Sequence, residues 1–160
     1  MSTLKSESEN LFEVRNLRRW FSSAGEGSIL SRLFSAGDYL KAVDDIDLDI
    51  KRGEIVGLAG QSGCGKSTLG ELLVGLQTPT GGSITFDGEQ MSGLDKQAMK
   101  EFRKQVQIIF QDPYEAMNPR FPVARIVSEP LKIHGIGDRE SRTSRTIETL
   151  EEVGLSPPEK

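Results

Sequence analysis

The chain has 160 residues, a length that suits one ordinary domain and leaves little room for a second. Hydrophobic residues make up 36% and charged residues 28%, so the composition is that of a globular protein rather than a disordered one. The net charge of −4, from 24 acidic and 20 basic side chains, argues against a protein that mainly grips nucleic-acid phosphates.

The counts of cysteine and histidine, and the lack of a long apolar run, exclude further classes of protein. A single cysteine and a single histidine exclude an internal disulfide framework and a zinc site built by this chain alone. The sequence contains no run of about 18 apolar residues, and its polar N-terminus lacks the apolar core of a signal peptide. We therefore expect no transmembrane segment and a reducing, cytosolic setting.

The N-terminal third predicts an antiparallel β-subdomain. Residues 1–10 are polar and are expected to form a disordered tail. Residues 11–17 predict a short strand, and residues 22–37, rich in glycine and serine, predict a long turn or insertion. Residues 42–50 alternate apolar and acidic side chains from Asp45 onwards, which predicts a half-buried strand.

A different pattern begins at residues 55–59, which are continuously apolar and predict a strand covered on both faces. A glycine-rich stretch follows, and then leucines at helical spacing from Leu69 to Leu76. Strand, loop and helix are thus predicted in direct succession. Residues 83–86 predict a further strand, and the dipeptide Asp87-Gly88 predicts a tight hairpin turn after it.

The rest of the chain predicts three helices and another strand. A helix is predicted to open at Ser92, which begins a stretch with capping-box spacing. Residues 106–110 predict another buried strand. Residues 123–134 predict a helix interrupted at Pro130, and residues 139–153 predict an amphipathic helix.

The glycine-rich stretch at residues 60–67 fits the pattern G-x-x-x-x-G-K-[ST] in full. Glycines let the backbone approach a phosphate closely, and the loop N–H groups and the following helix N-terminus attract its charge. In this motif Lys66 reaches the β- and γ-phosphates, and the Ser67 hydroxyl coordinates Mg²⁺. Because a predicted strand precedes the loop and a helix follows it, we favour nucleotide binding over a chance glycine-rich turn, and interpret the loop cysteine as a small residue that fits. The predicted binding residues are Gly60, Gln61, Ser62, Gly63, Cys64, Gly65, Lys66, Ser67 and Thr68.

Two segments together resemble the ATP-binding cassette (ABC) ATPases. Residues 60–69, followed by Gly75-Leu76, resemble the Walker A segment of that family. Residues 108–120, which read Ile-Ile-Phe-Gln-Asp-Pro-Tyr-Glu-Ala-Met-Asn-Pro-Arg, are similar to the Q-loop region of the oligopeptide and dipeptide importer ATPases. The resemblance covers about residues 11–155 and implies an α/β fold. That fold is an incomplete P-loop NTPase core with an N-terminal antiparallel β-subdomain and the start of a helical subdomain at about residues 120–155.

The resemblance implies ATP and Mg²⁺ as cofactors and adds three assignments. Gln111 matches the Q-loop glutamine, so Ser67 and Gln111 are the implied metal contacts. Residues 114–122 would face a transmembrane permease subunit. An aromatic residue near the end of the first strand would stack on adenine, and Phe21 fits that place best, with Tyr39 as the alternative. The resemblance also implies a second ATP-binding subunit as a dimer partner and a cytoplasmic location on the inner face of the membrane.

Several motifs of the family are not found in these 160 residues. The signature Leu-Ser-Gly-Gly-Gln and the Walker B segment with its catalytic glutamate are absent, and His134 precedes the place of the switch histidine, so we interpret it as a helix-end residue. We therefore expect residues 11–160 to be the N-terminal portion of an ABC nucleotide-binding domain, unable to hydrolyse ATP alone, with the apolar residues at 55–59 partly exposed. The alternatives are a small P-loop kinase and a non-catalytic nucleotide-binding module. The transported solute is not indicated.

Overall fold

The computed structural model describes residues 9–22, 39–112, 114 and 117–155. Residues 1–8 of the predicted tail and residues 23–37 of the predicted insertion lie outside the described residues, as do positions 113, 115 and 116 of the Q-loop region. The chain divides into two compact units, Met1–Arg103 and Lys104–Lys160.

A four-stranded antiparallel sheet, in the order β2-β1-β3-β4, forms the first unit. Its strands are β1 (Asn10–Ser22), β2 (Tyr39–Lys51), β3 (Gly81–Phe86) and β4 (Glu89–Gln90). Both β1 and β2 are longer than predicted, because their pairing continues to the register pair Ser22 and Tyr39. The predicted antiparallel β-subdomain is therefore present.

The predicted hairpin at Asp87-Gly88 is confirmed between β3 and β4. Asp87 has φ 47° and Gly88 has φ 76°, the positive values that a two-residue turn of this hand requires at both central positions.

One face of the sheet carries the core of the first unit. Val14 and Leu17 are fully buried, and the Phe86 ring lies 5.0 Å from the ring centroids of both Phe12 and Phe102. The aspartates of β2 are exposed, and two of them, Asp45 and Asp49, form ion pairs with the β1 arginines Arg18 and Arg15. Of the apolar residues that alternate with these aspartates, Leu48 and Ile50 are partly buried and Ile46 is 37% exposed, so the predicted burial of one face holds only in part.

Four α-helices and one short 3₁₀ helix complete the described elements. These are α1 (Lys66–Leu73), the 3₁₀ helix (Met91–Gly93), α2 (Lys96–Gln105), α3 (Val123–Ile133) and α4 (Arg139–Glu152). Of these, α3 and α4 lie in the second unit. The prediction for α4 is confirmed to within one residue, and the Asp138 side chain caps its N-terminus by accepting a hydrogen bond from the Ser141 N–H.

The predictions for the cap of α2 and for Pro130 are wrong. The cap of α2 is Asp95 rather than Ser92, because the Asp95 Oδ1 atom accepts hydrogen bonds from the N–H groups of Gln97 and Ala98, at 2.9 and 2.8 Å. Pro130 lies inside α3 without interrupting it. Proline removes one helical hydrogen bond, but its φ is compatible with a helix. The helix therefore tolerates one proline at the exposed position 130.

The two predicted buried strands at residues 55–59 and 106–110 do not form. Ile55 is 98% exposed, and Ile109 is 93% exposed. A strand exists only through hydrogen bonds to a neighbouring strand, and no described residue pairs with either segment. The expected exposure of the apolar residues at 55–59 is confirmed, while their assignment to a strand is not.

Candidate nucleotide-binding site

The side chain of Lys66 contacts the backbone of its own glycine-rich loop. Lys66 is the first residue of α1, and its Nζ atom donates hydrogen bonds to the carbonyl oxygens of Gly60, at 2.8 Å, and Gln61, at 2.7 Å. Its Nζ also lies 3.5 Å from the Sγ atom of Cys64. The ammonium group is therefore held over the loop that the sequence predicts to bind phosphate.

Three glycines of the loop are required for different reasons. Gly65 has φ 95°, and a Cβ there would lie 2.0 Å from the carbonyl oxygen of Ala42. Gly63 has φ 79° but open space around it, whereas a Cβ on Gly60 would lie 2.7 Å from the Sγ atom of Cys64. The loop thus depends on left-handed backbone angles at Gly63 and Gly65 and on close approach to the backbone at Gly65, while Gly60 lies against the Cys64 side chain.

The helix α1 places its N-terminus at the end of this loop. Gly65 is the N-cap, provides no side-chain cap and leaves first-turn N–H groups for another acceptor. Ser67 in this turn is exposed, and the buried Leu69 and Leu72 anchor the helix in the core. The predicted extension of the helix to Leu76 is wrong, because the helix ends at Leu73 and the chain turns at a glycine with φ 69°.

A β-bulge in the hairpin contacts the loop. Arg19 pairs with Val43 and Trp20 pairs with Lys41, so Ala42 is the extra residue on β2. The carbonyl oxygen of Ala42 is the atom that a Cβ on Gly65 would strike, and a methyl group of Val43 lies 3.8 Å from the same point. We call this side of the β1–β2 hairpin, marked by Val43, the loop face.

The two candidate aromatic residues lie on opposite faces of the hairpin. Arg19 shares the loop face with its partner Val43, and its guanidinium carbon lies 4.5 Å from the ring centroid of Phe21. Tyr39 contacts the ring of Trp20 instead, at 6.2 Å between centroids. Trp20 lies on the other face, because successive residues of a strand alternate. Phe21 is therefore the candidate on the loop face, and Arg19 beside it is a residue that the sequence reasoning missed.

Gln111 lies in the second unit, whereas every Walker A residue lies in the first. It is exposed and belongs to the irregular segment after residues 106–110. Beyond it, the Asp112 side chain accepts a hydrogen bond from the Tyr114 N–H at 2.9 Å, and the Asn118 side chain accepts one from the Arg120 N–H at 3.0 Å. Side-chain turns of this kind order the described part of the Q-loop region. His134 is the C-cap residue of α3, in agreement with its interpretation as a helix-end residue.

A cleft of about 640 Å³ lies between α3 and α4 in the second unit. It is not formed by any residue that the sequence predicts to bind nucleotide, so we do not assign the nucleotide to it. Its lining combines four cationic side chains with small and apolar ones: Ala124, Arg125, Ser128, Lys132, Arg139, Arg142, Thr143, Thr146, Ile147 and Leu150.

The described residues meet the requirements of neither a metal-binding cluster nor a membrane-spanning helix. They contain no cluster of three or more His, Cys, Asp or Glu side chains that could hold a metal ion. A P-loop does not need such a cluster, since Mg²⁺ is held there by a Ser or Thr hydroxyl and the phosphates. Among the helices described, none has the length and apolar character needed to cross a bilayer.

The family of the chain follows from comparison with known proteins. The family model described as "ABC transporter" matches residues 43–160. The chain belongs to the ABC transporter family. This ABC protein is 38% identical over 152 residues to the oligopeptide transport ATP-binding protein AppF of Bacillus subtilis, and 40% identical over 150 residues to OppF of the same organism. These matches cover 93% and 92% of the chain but only 44% and 45% of the relatives, so the chain spans about half of their length.

A solved structure supports the same fold. The dimeric ATP-binding cassette MJ0796, in a post-hydrolysis state with ADP and Pi, is 26% identical and superimposes with a TM-score of 0.69. The match covers 91% of this chain and 58% of the cassette. The predicted ABC-type α/β fold, present in part, is confirmed, and the alternative of a small P-loop kinase is set aside.

Proposed function

We propose that this ABC protein is the ATP-binding part of the nucleotide-binding subunit of a peptide importer. The observation that carries the proposal is the Walker A loop, in which an ammonium group is held over glycines at a helix N-terminus. The names of the relatives AppF and OppF, both oligopeptide transport ATP-binding proteins, support peptides as the transported class.

In this proposal the residues of the first unit bind the nucleotide. Lys66 exchanges the carbonyl oxygens of Gly60 and Gln61 for the β- and γ-phosphates of ATP, and the free N–H groups at the start of α1 add donors. The close contact between Gly65 and Ala42 leaves no room for a side chain at position 65 of the loop. A bare backbone at this position is what close approach to a phosphate requires. Phe21, on the loop face, stacks on the adenine.

The same residues fit Mg²⁺ as the metal. The exposed Ser67 hydroxyl in the first turn of α1 would hold the ion. Gln111 is proposed as a further contact from the family resemblance alone. When bound, Mg²⁺ would partly neutralise the negative charge of the nucleotide phosphates.

The proposed partners are permease subunits and a second ATP-binding subunit, with the protein cytoplasmic and peripheral on the membrane. Residues 114–122 would face the permease, and Tyr114 in that segment is 81% exposed. The dimeric state of the cassette MJ0796 supports a second ATP-binding subunit.

The test is direct binding of ATP·Mg²⁺ by calorimetry, with Lys66→Ala beside the control Lys96→Ala. Removal of a charge-assisted phosphate contact removes about 1.5–3 kcal/mol, so Lys66→Ala should bind at least tenfold more weakly. Lys96 is an exposed residue of α2, and its loss should change nothing. Undiminished binding by Lys66→Ala would overturn the Walker A assignment.

Hydrolysis is tested on the same chain. These 160 residues contain no Walker B or signature sequence, and phosphoryl transfer needs an oriented attacking water as well as bound phosphates. We expect no steady-state ATP hydrolysis by this chain above background, measured as phosphate release. Turnover that disappears in Lys66→Ala would contradict this expectation.

A further inference from the structure

Arg19 is held in place by an aromatic ring and a backbone carbonyl. Its guanidinium carbon lies 4.5 Å from the centroid of the Phe21 ring, and its Nη1 atom donates a hydrogen bond to the carbonyl oxygen of Thr78 at 3.1 Å. Its Nε atom is buried with no hydrogen-bond acceptor among the described residues. The ring and the Thr78 carbonyl are therefore the contacts that orient the guanidinium.

Thr78 belongs to the connection between α1 and β3, which is attached to β1 at the same point. The Thr80 N–H donates to the Arg18 carbonyl at 2.8 Å, and the Thr80 hydroxyl accepts from the Trp20 N–H at 3.2 Å. Since α1 begins at the Walker A loop, Arg19 links the Phe21 ring to the chain that leaves the phosphate-binding helix. On the neighbouring strand β2, the bulge at Ala42 contacts Gly65 at the start of α1. Both the start of α1 and the chain that follows its end are therefore attached to the hairpin near Arg19.

We propose that Arg19 is a positioning residue for the nucleotide base. It covers one face of the Phe21 ring and holds that ring so that the other face receives the adenine. A guanidinium stacks on an aromatic ring with both electrostatic and packing energy, and it restricts the rotation of the ring. The inference rests on the proposed function, in which Phe21 stacks on the base of ATP.

The experiment compares two ligands that share a triphosphate chain, of which only one carries adenosine. Calorimetry gives the affinity of the full 160-residue chain for ATP and for inorganic tripolyphosphate, each with Mg²⁺. A cation–π contact of about 0.5–1 kcal/mol corresponds to a factor of about two to five in affinity. Arg19→Gln should therefore weaken ATP binding about two- to fivefold and leave tripolyphosphate binding unchanged, while Arg19→Lys should recover part of the loss.

The neighbouring arginine provides the matched control. Arg18 forms an ion pair with Asp45 at 2.9 Å, so Arg18→Gln should change the affinity for neither ligand. In a Phe21→Leu background, Arg19→Gln should have no further effect on ATP, because the ring through which it acts is gone. If Arg19→Gln does not fold, the comparison is made with Arg19→Lys, whose smaller loss must again be confined to ATP.

Three results would overturn the inference while leaving the proposed function intact. These are an unchanged ATP affinity in Arg19→Gln, an equal loss for both ligands, and a full additional loss in the Phe21→Leu background. The second would mean that Arg19 contacts the phosphates directly or supports the fold generally. If the wild-type chain binds neither ligand, or if Lys66→Ala binds as the wild type does, the proposed function fails and this inference fails with it.

Discussion

Gly65→Ala should damage the protein more than Gly63→Ala, although both glycines have left-handed backbone angles. The φ values are 95° and 79°, and a left-handed conformation costs an alanine about 1–2 kcal/mol at either place. The difference is in the surroundings: a Cβ at Gly65 would lie 2.0 Å from the Ala42 carbonyl oxygen, whereas no atom lies within 4 Å of a Cβ at Gly63.

The size of the difference follows from that contact. The Cβ and the carbonyl oxygen must separate from 2.0 Å to at least 3.0 Å, so either the bulge of β2 or the start of α1 has to move. Overpacking of this kind costs about 1–3 kcal/mol. Gly65→Ala should therefore lose about 2–5 kcal/mol of unfolding free energy and Gly63→Ala about 1–2 kcal/mol, out of a typical total of about 5–15 kcal/mol.

The assay is urea unfolding followed by circular dichroism and by the fluorescence of Trp20, the single tryptophan. Because both variants alter the same loop and both need a left-handed alanine, their comparison isolates the contact with Ala42. Equal unfolding midpoints would refute the reasoning, since they would show that the bulge and the loop adapt to an added methyl group without loss.

Three further predictions concern the ends, charges and exposed residues of the described elements. Asp138→Ala should lower the unfolding free energy by about 1 kcal/mol in the same urea assay, because the N-cap of α4 is lost, and Asp138→Asn should not. The Lys41 ammonium hydrogen-bonds the Asp44 carboxylate and lowers its pKa below the ordinary 3.8, so this contribution is present above pH 3.8 and is lost as the pH falls through the folded-state pKa. Asp44→Asn should flatten that acid dependence of the urea midpoint, and an unaltered profile would contradict the assignment. Ile55→Lys should reduce light scattering from self-association without lowering the urea midpoint, since the side chain is 98% exposed.

Local sequence determined the features that depend on residues close together in the chain. The motif from Gly60 to Ser67 is such a feature, because the glycines, the lysine and the helix N-terminus that a phosphate needs occupy eight consecutive positions. The hairpin at Asp87-Gly88 is another, since only a few residue types adopt positive φ at two successive positions. The amphipathic helix α4 can likewise be predicted from the sequence, because its apolar positions and its cap lie within the same short segment.

Tertiary structure decided the features that depend on pairing between distant residues. Ile55 and Ile109 belong to segments with the composition of buried strands, yet no described residue pairs with those segments and both side chains are exposed. The alternation of a strand cannot tell which face meets the loop, and the bulge at Ala42 changes the side on which later residues point. That register places Phe21 rather than Tyr39 on the loop face and sets Arg19 against its ring. The sequence could not predict these features because they depend on hydrogen bonds between strands that are far apart in the chain, and no local pattern specifies those bonds.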